Sequence, residues 1–219
     1  MLWLMALLGC FGKADDTSDP VDTEDTDVVD TDVVDTDVDD TDAVDTDDTD
    51  VAVTCSVSTD NFGNVGAPPG GATIEVGMDG AIDDVLQAQA LLEEAAPADV
   101  LTVALYADYG AFTGTGVLPG TYQITGDELD FATCGVCVII STNSDGSGYE
   151  DDYMATGGTL TVTEAGDQVG ETLTWALTDV TLQHVTIDSV SGETTPVGDG
   201  CTTAISGATF SGTLEAPPQ

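Results

Sequence analysis

The chain is almost devoid of positive charge. Its 219 residues hold 42 acids against a single Lys or Arg, for a net charge of −41. The one base is Lys13, so residues 14–219 contain neither Lys nor Arg. Binding to nucleic acid needs cations that displace counterions from phosphate, and that class of function is excluded. Electrostatic adsorption to anionic lipid is excluded for the same reason. Bidentate recognition of phosphate or carboxylate by Arg is absent, as is the lysine of P-loop phosphoryl transfer. Apart from His184, the folded part has no cation with which to form an internal salt bridge. Its stability must come from burial, hydrogen bonds, and disulfides or bound metal, against self-repulsion of carboxylates.

Long apolar runs are missing too. The longest near the start, Leu2–Leu8, has seven residues, too few to span a bilayer and of the length of a signal-peptide core. It leads into Leu7-Leu8-Gly9-Cys10. Residues 1–9 are expected to be a signal peptide and Cys10 the first mature residue.

Beyond Cys10 the chain turns to acidic low complexity. Residues 15–50 hold 18 of the acids, and from residue 23 they fall into five-residue units ending Asp-Thr-Asp: Thr23–Asp27, Val28–Asp32, Val33–Asp37, Val38–Asp42 and Ala43–Asp47. A period of five matches neither the helical 3.6 nor the strand 2, so no apolar face can form. Neighbouring aspartates repel and extend the chain. Residues 10–50 are therefore expected to be a disordered tether, reaching at most about 130 Å when fully stretched. A calcium loop would need a Gly at its sharp turn, and no Gly lies between Lys13 and Cys55.

Near Val51 the composition shifts to Gly, Thr, Val and aromatic residues, and residues 51–219 are expected to form one β-rich globular domain. Val51–Ser58, Val100–Tyr106, Thr121–Thr125, Val136–Thr142 and Tyr149–Thr156 read as strands, and Pro68–Gly71 as a loop. Leu160 and Val162 alternate with threonines as in a half-buried strand. Leu173, Trp175 and Leu177 lie on one parity, and Val180 and Leu182 on the other, which predicts a bulge near Thr178-Asp179. A last strand is expected around Ala208, Phe210, Gly212 and Leu214. Ile82, Val85, Leu86 and Gln89 recur at helical spacing, so Ala81–Ala95 is predicted to be the one short helix, capped by Asp79 and stopped by Pro97. The expected fold class is all-β: an antiparallel β-sandwich, or its barrel-like variant, with that single helix.

Four cysteines remain after Cys10: Cys55, Cys134, Cys137 and Cys201. An even number in an exported domain implies two disulfides among three connectivities. Cys134-Gly135-Val136-Cys137 admits a zinc half-site, a redox motif or a structural disulfide. The apolar run after it speaks for the disulfide, because redox motifs open a helix. Residues three apart on a regular strand cannot bridge, so a 134–137 bond requires a turn at Gly135. The favoured pairing is 134–137 with 55–201, the second bond tying the two ends of the domain.

Few residues offer chemistry. In Ser141–Asp152, Asn143, Asp145 and Gly146 match positions three, five and six of an EF-type calcium loop, and Asp152 stands at position twelve. The alternative is a plain hairpin turning at Asp145-Gly146. Calcium is the one cofactor with candidate ligands: Asn143, Asp145 and Asp152. His184 is a candidate base, but no Gly-x-Ser-x-Gly elbow accompanies it, and it sits in a strand-like stretch. A pair of carboxylates for glycoside hydrolysis is uninformative among so many acids. Tyr106, Tyr109 and Phe112 form either an aromatic ligand platform or loop packing.

The Leu-Leu-Gly-Cys end, the Asp-Thr-Asp run, and the stretches "LYADYGAF", "PGTYQI", "CGVC" and "PVGDGC" together resemble uncharacterised lipoproteins of Gram-negative bacteria with Asp/Thr-rich linkers before a β-domain. The resemblance implies acyl chains on Cys10. Phe11, where retained lipoproteins have Asp, implies passage to the outer membrane. The resemblance implies location and architecture and no mechanism, and the chain is expected not to be an enzyme. The expected function is that of a lipid-anchored surface protein with a structural or adhesive domain, whose partner is an extracellular protein or glycan. A calcium-dependent binding module and a carboxylate-based hydrolase are the alternatives.

Overall fold

The computed structural model describes residues 53–66, 72–76 and 85–215. Cys10, the acidic repeats, Val51 and Ala52, the Pro68–Gly71 loop and the first part of the expected helix lie outside the described residues.

The fold is all-β and almost wholly antiparallel. Ten strands are described: β1 (Asn64–Gly66), β2 (Ala72–Val76), β3 (Val85–Leu91), β4 (Ala98–Tyr106), β5 (Gly120–Gln123), β6 (Val136–Ser144), β7 (Asp152–Ala165), β8 (Thr172–Ile187), β9 (Thr194–Pro196) and β10 (Thr202–Thr213). They form one curled open sheet, a half-barrel, in the order β1-β10-β8-β7-β6-β4-β3-β2, with β5 added to β7 and β9 to β8. Only the short β1–β10 pair is parallel. Two 3-10 turns, Gly110–Phe112 and Gly126–Leu129, are the only helical pieces among the described residues.

The sheet curls along a line crossing three neighbouring strands. In β8, Leu173, Trp175 and Leu177 face the core, and beyond Asp179 so do Val180 and Leu182. The parity change sits where it was expected. In β7, Leu160 and Val162 give way to Tyr153 and Ala155; in β10, Ala208 and Phe210 give way to Thr203 and Ile205. The register is uneven at this line: Ala155 pairs with Leu182, Gly157 with Thr181 and Thr159 with Thr178. A bulge adds a residue and bends the strand that carries it. Asp179 takes a left-handed φ of 49° there, and Gly158 a φ of 126°.

The curl encloses the main core. Trp175 stacks on Phe210 at 4.2 Å between ring centroids, amid Leu101, Leu105, Ile140, Leu160 and Leu177, all buried. Val136–Ile140 has no polar member because both of its faces are covered. Val138 and Ile140 face the main core, while Cys137 and Ile139 join a second cluster with Ala104, Met154 and Val185, against which Tyr106 and Phe131 pack.

Two expectations are corrected. The segment predicted as a helix runs as β3 from Val85 to Leu91, pairing with β2 and β4. Its working pattern is the alternation Leu86, Ala88 and Ala90, each buried in the core. Helical spacing and alternation share Leu86, and small alanines mask the strand signal. The first expected strand is also absent: Val53–Gly63 is a strap without ladder pairing until β1. Its polar groups are engaged by side chains and loops, and Cys55 is fixed by a disulfide.

Candidate functional site

The strap crosses the end of the sheet where the β6–β7 hairpin, β8 and the start of β10 meet, and this corner gathers the domain's polar chemistry. Cys55 is bonded to Cys201, with their Cα atoms 5.5 Å apart. The Ser56 carbonyl accepts from Asn143 Nδ2 at 3.0 Å, and Ser56 Oγ accepts from Thr142 Oγ1 at 3.1 Å. Asp99, 1% exposed, has no cation beside it. Its carboxylate accepts the backbone N–H of Ser58 at 2.9 Å and of Asn143 at 3.1 Å. Glu93 accepts from the Asp99 N–H at 2.6 Å and from Ser58 Oγ. Backbone donors thus do for these acids what Arg or Lys does elsewhere.

His184, the domain's sole basic side chain, stands between two carboxylates. Its Nδ1 lies 2.6 Å from Asp199 and its Nε2 3.3 Å from Asp151. The ring stacks on Tyr153 at 5.2 Å. The Nδ1 contact with Asp199 is a hydrogen bond, whereas the Nε2 approach to Asp151 is an ion pair only when the ring carries both protons. The Asp199 carboxyl is held below its ordinary range, first by the Cys201 N–H and then by the His184 ring. The arrangement ties β8 to the start of β7 and to the loop before β10.

The three expected calcium ligands each hydrogen-bond a different neighbour. Asn143, at φ 52°, spends its amide on Ser56 and Glu150. Asp145 accepts from Ser147 N and Oγ at 2.8 and 2.7 Å, which hold its carboxyl below the ordinary range. Asp152 accepts from Ser141 Oγ at 2.7 Å, and its burial pushes its carboxyl up. The loop joins β6 to β7 as a hairpin. Among the described residues, no three His, Cys, Asp or Glu side chains are placed to hold one metal ion.

Cys134 and Cys137 are bonded to each other, 1% and 0% exposed, so the pairing favoured from the sequence is the one the structure carries. The turn at Gly135 that permits the bond rests on Tyr109, whose carbonyl oxygen would lie 2.2 Å from a Cβ at that glycine. Beneath the turn is an acid no sequence pattern singled out. Glu128, 4% exposed, accepts the N–H of Ala111 and of Val136, each at 2.5 Å. Burial pushes its carboxyl above the ordinary range, and the hydrogen bonds from Val136, Ala111 and Gly135 oppose that. One buried carboxylate therefore joins the Tyr109–Phe112 turn to the disulfide turn.

The aromatic triplet divides. Phe112 is buried against Tyr122 at 4.8 Å. Tyr109 is 52% exposed and meets Tyr106 edge to face at 6.3 Å, and Tyr106 meets Phe131 likewise at 6.1 Å. Edge-to-face packing among the three rings builds no flat platform. A shallow polar groove lies elsewhere, lined by Thr186, Asp188, Ser191, Glu193 and Thr195 on the β8–β9 hairpin. No protein-family model, curated protein or solved structure matches this chain.

Proposed function

We propose that this chain is an exported lipoprotein, held to the outer membrane of a bacterial envelope through acyl chains on Cys10, that displays its half-barrel at the end of the acidic tether in a structural or adhesive role. The observation that carries the reading is the Cys55–Cys201 disulfide, which bonds residues 146 apart and ties the chain, just after the acidic repeats, to the body of the domain. Disulfides of this kind belong to oxidising, exported compartments. Tying down the first residues of a domain suits a protein held by its N-terminal side. The partner is a neutral or cationic extracellular protein or glycan, since the domain repels polyanions. The test is metabolic labelling with palmitate. Label on the wild-type chain, lost on Cys10→Ala, supports the reading. A wild-type chain without label and free in the culture fluid overturns it.

A further inference from the structure

The strap and the disulfide at its head have a mechanical consequence. Beyond Cys55 the strap is held by hydrogen bonds and modest burial. Ser56 meets Asn143 and Thr142, Ser58 meets Asp99, the Thr59 carbonyl accepts from Thr203 Oγ1 at 2.8 Å, and Phe62 N–H donates to Ala204 O at 2.9 Å. Val57 is its one buried apolar side chain. Each such bond is weak on its own, and a strap pulled from one end would lose them in turn. Cys55 lies ahead of all of them. Its partner Cys201 stands immediately before β10, which pairs with β8 from Thr202–Gln183 to Thr213–Thr172. The Cys201 carbonyl also accepts from the His184 N–H at 3.0 Å.

We propose that the Cys55–Cys201 disulfide is a force clamp. Tension arriving from the N-terminal side is shared at Cys55 between the strap Ser56–Gly63 and, through Cys201, the segment that leads back along β9 to β8. The bond closes a covalent ring from Cys55 to Cys201, so a load drawn against any point of the ring divides between its two arms. The strap arm then cannot peel until the other arm, which runs from Cys201 back through β9 to β8, yields as well. The inference rests on the reading that the molecule is held from its N-terminal side, but its test does not involve lipid.

The full chain offers a natural handle, because its one Lys, Lys13, precedes Cys55. A second handle is an enzymatically labelled peptide inserted between Asp167 and Gln168, in the exposed β7–β8 turn and inside the ring. In optical tweezers the intact chain is expected to show no short step before the sheet ruptures. Cys55→Ala/Cys201→Ala is expected to show an early step of about 28 Å, the contour of the eight-residue strap, at a force at least twofold lower. Reductant added to the folded intact chain, with Cys134→Ala/Cys137→Ala as control, gives the same comparison should the variant fail to fold. The same first step and force with and without the bond overturns the clamp. Palmitate labelling reports separately on the anchor, so failure of one reading is distinguishable from failure of the other.

Discussion

Gly158 on β7 lies so close to Val180 on β8 that a Cβ at the glycine would come 2.7 Å from the Val180 Cα. The same glycine holds a φ of 126°, which side-chain-bearing residues rarely adopt. Close approach and backbone conformation both require glycine where the sheet folds over its core. Gly158→Ala is therefore expected to destabilise the domain by about 3 kcal/mol or more, from backbone strain plus overpacking. Gly170, at φ 94° with open space around it, is the control. Gly170→Ala is expected to cost about 1 kcal/mol. Urea unfolding of the two variants checks the contrast, and equal losses would show that the bend does not depend on this contact.

The two disulfides close loops of very different length. Chain entropy assigns about 5 kcal/mol to a bond that spans the 146 positions between Cys55 and Cys201, and about 2 kcal/mol or less to one that spans three. Cys55→Ala/Cys201→Ala should thus lose far more stability than Cys134→Ala/Cys137→Ala in denaturant titrations. A larger loss from the short loop would mean that its bond acts through the packing of Tyr109 and Glu128 against Gly135, and not through chain entropy.

Glu128 sets a pH dependence whose sign comes from burial. Its folded carboxyl is raised above the unfolded one. At pH below the ordinary carboxylate range both states are protonated, and the group imposes no cost. As pH rises from that range through the raised folded value, the unfolded chain releases its proton first and stability falls. Glu128→Gln removes the titration. It also sets an amide N–H₂ against backbone donors that need an acceptor, so it is expected to melt below wild type in acid. The gap in melting temperature should narrow as pH rises toward neutral. A constant gap from pH about 4 to 7 would place the titration elsewhere. Asp199 has the opposite sign: its lowered carboxyl stabilises above the ordinary range and is lost as pH falls through the folded value.

Alternation was the legible part of the chain, and tertiary partners were the illegible part. Leu160 and Val162, the Val136–Ile140 run and the parity change at Thr178-Asp179 report a sheet with one covered face, a doubly covered strand and a bend, because each is written in the residues that make it. β3 was misread because Leu86, Ala88 and Ala90 become an apolar face only when larger residues across the sheet supply the bulk. The strap was misread because Cys55, Ser56 and Ser58 have strand-like neighbours but bond to residues 35 to 146 positions away. Glu128 had no local signal at all. One acid among many is singled out only when Ala111 and Val136, from two other segments, turn their N–H groups on it. Gly110 and Gly135 are its only trace in the sequence, since a Cβ at either would collide with this junction.

A domain with no Lys or Arg should respond to salt more than most. Its carboxylates have one histidine and a set of backbone donors to compensate them, and the rest of their mutual repulsion is open to screening. The melting temperature is expected to rise from low salt to about 0.15 M, where the screening length is about 8 Å, and then to level off. Calcium and magnesium should act at lower concentration through their charge alone, and equally. A site of its own at Asn143, Asp145 and Asp152 would require Asp145 to give up Ser147, and Asp152 to give up Ser141, in favour of the ion. Calorimetry at low salt separates the two. Saturable calcium heat that magnesium does not reproduce, and that Asp145→Ala weakens, identifies a site on this hairpin. Equal stabilisation by both ions, unchanged by Asp145→Ala, identifies diffuse screening, the outcome expected from a hairpin whose three candidate ligands each face a different neighbour.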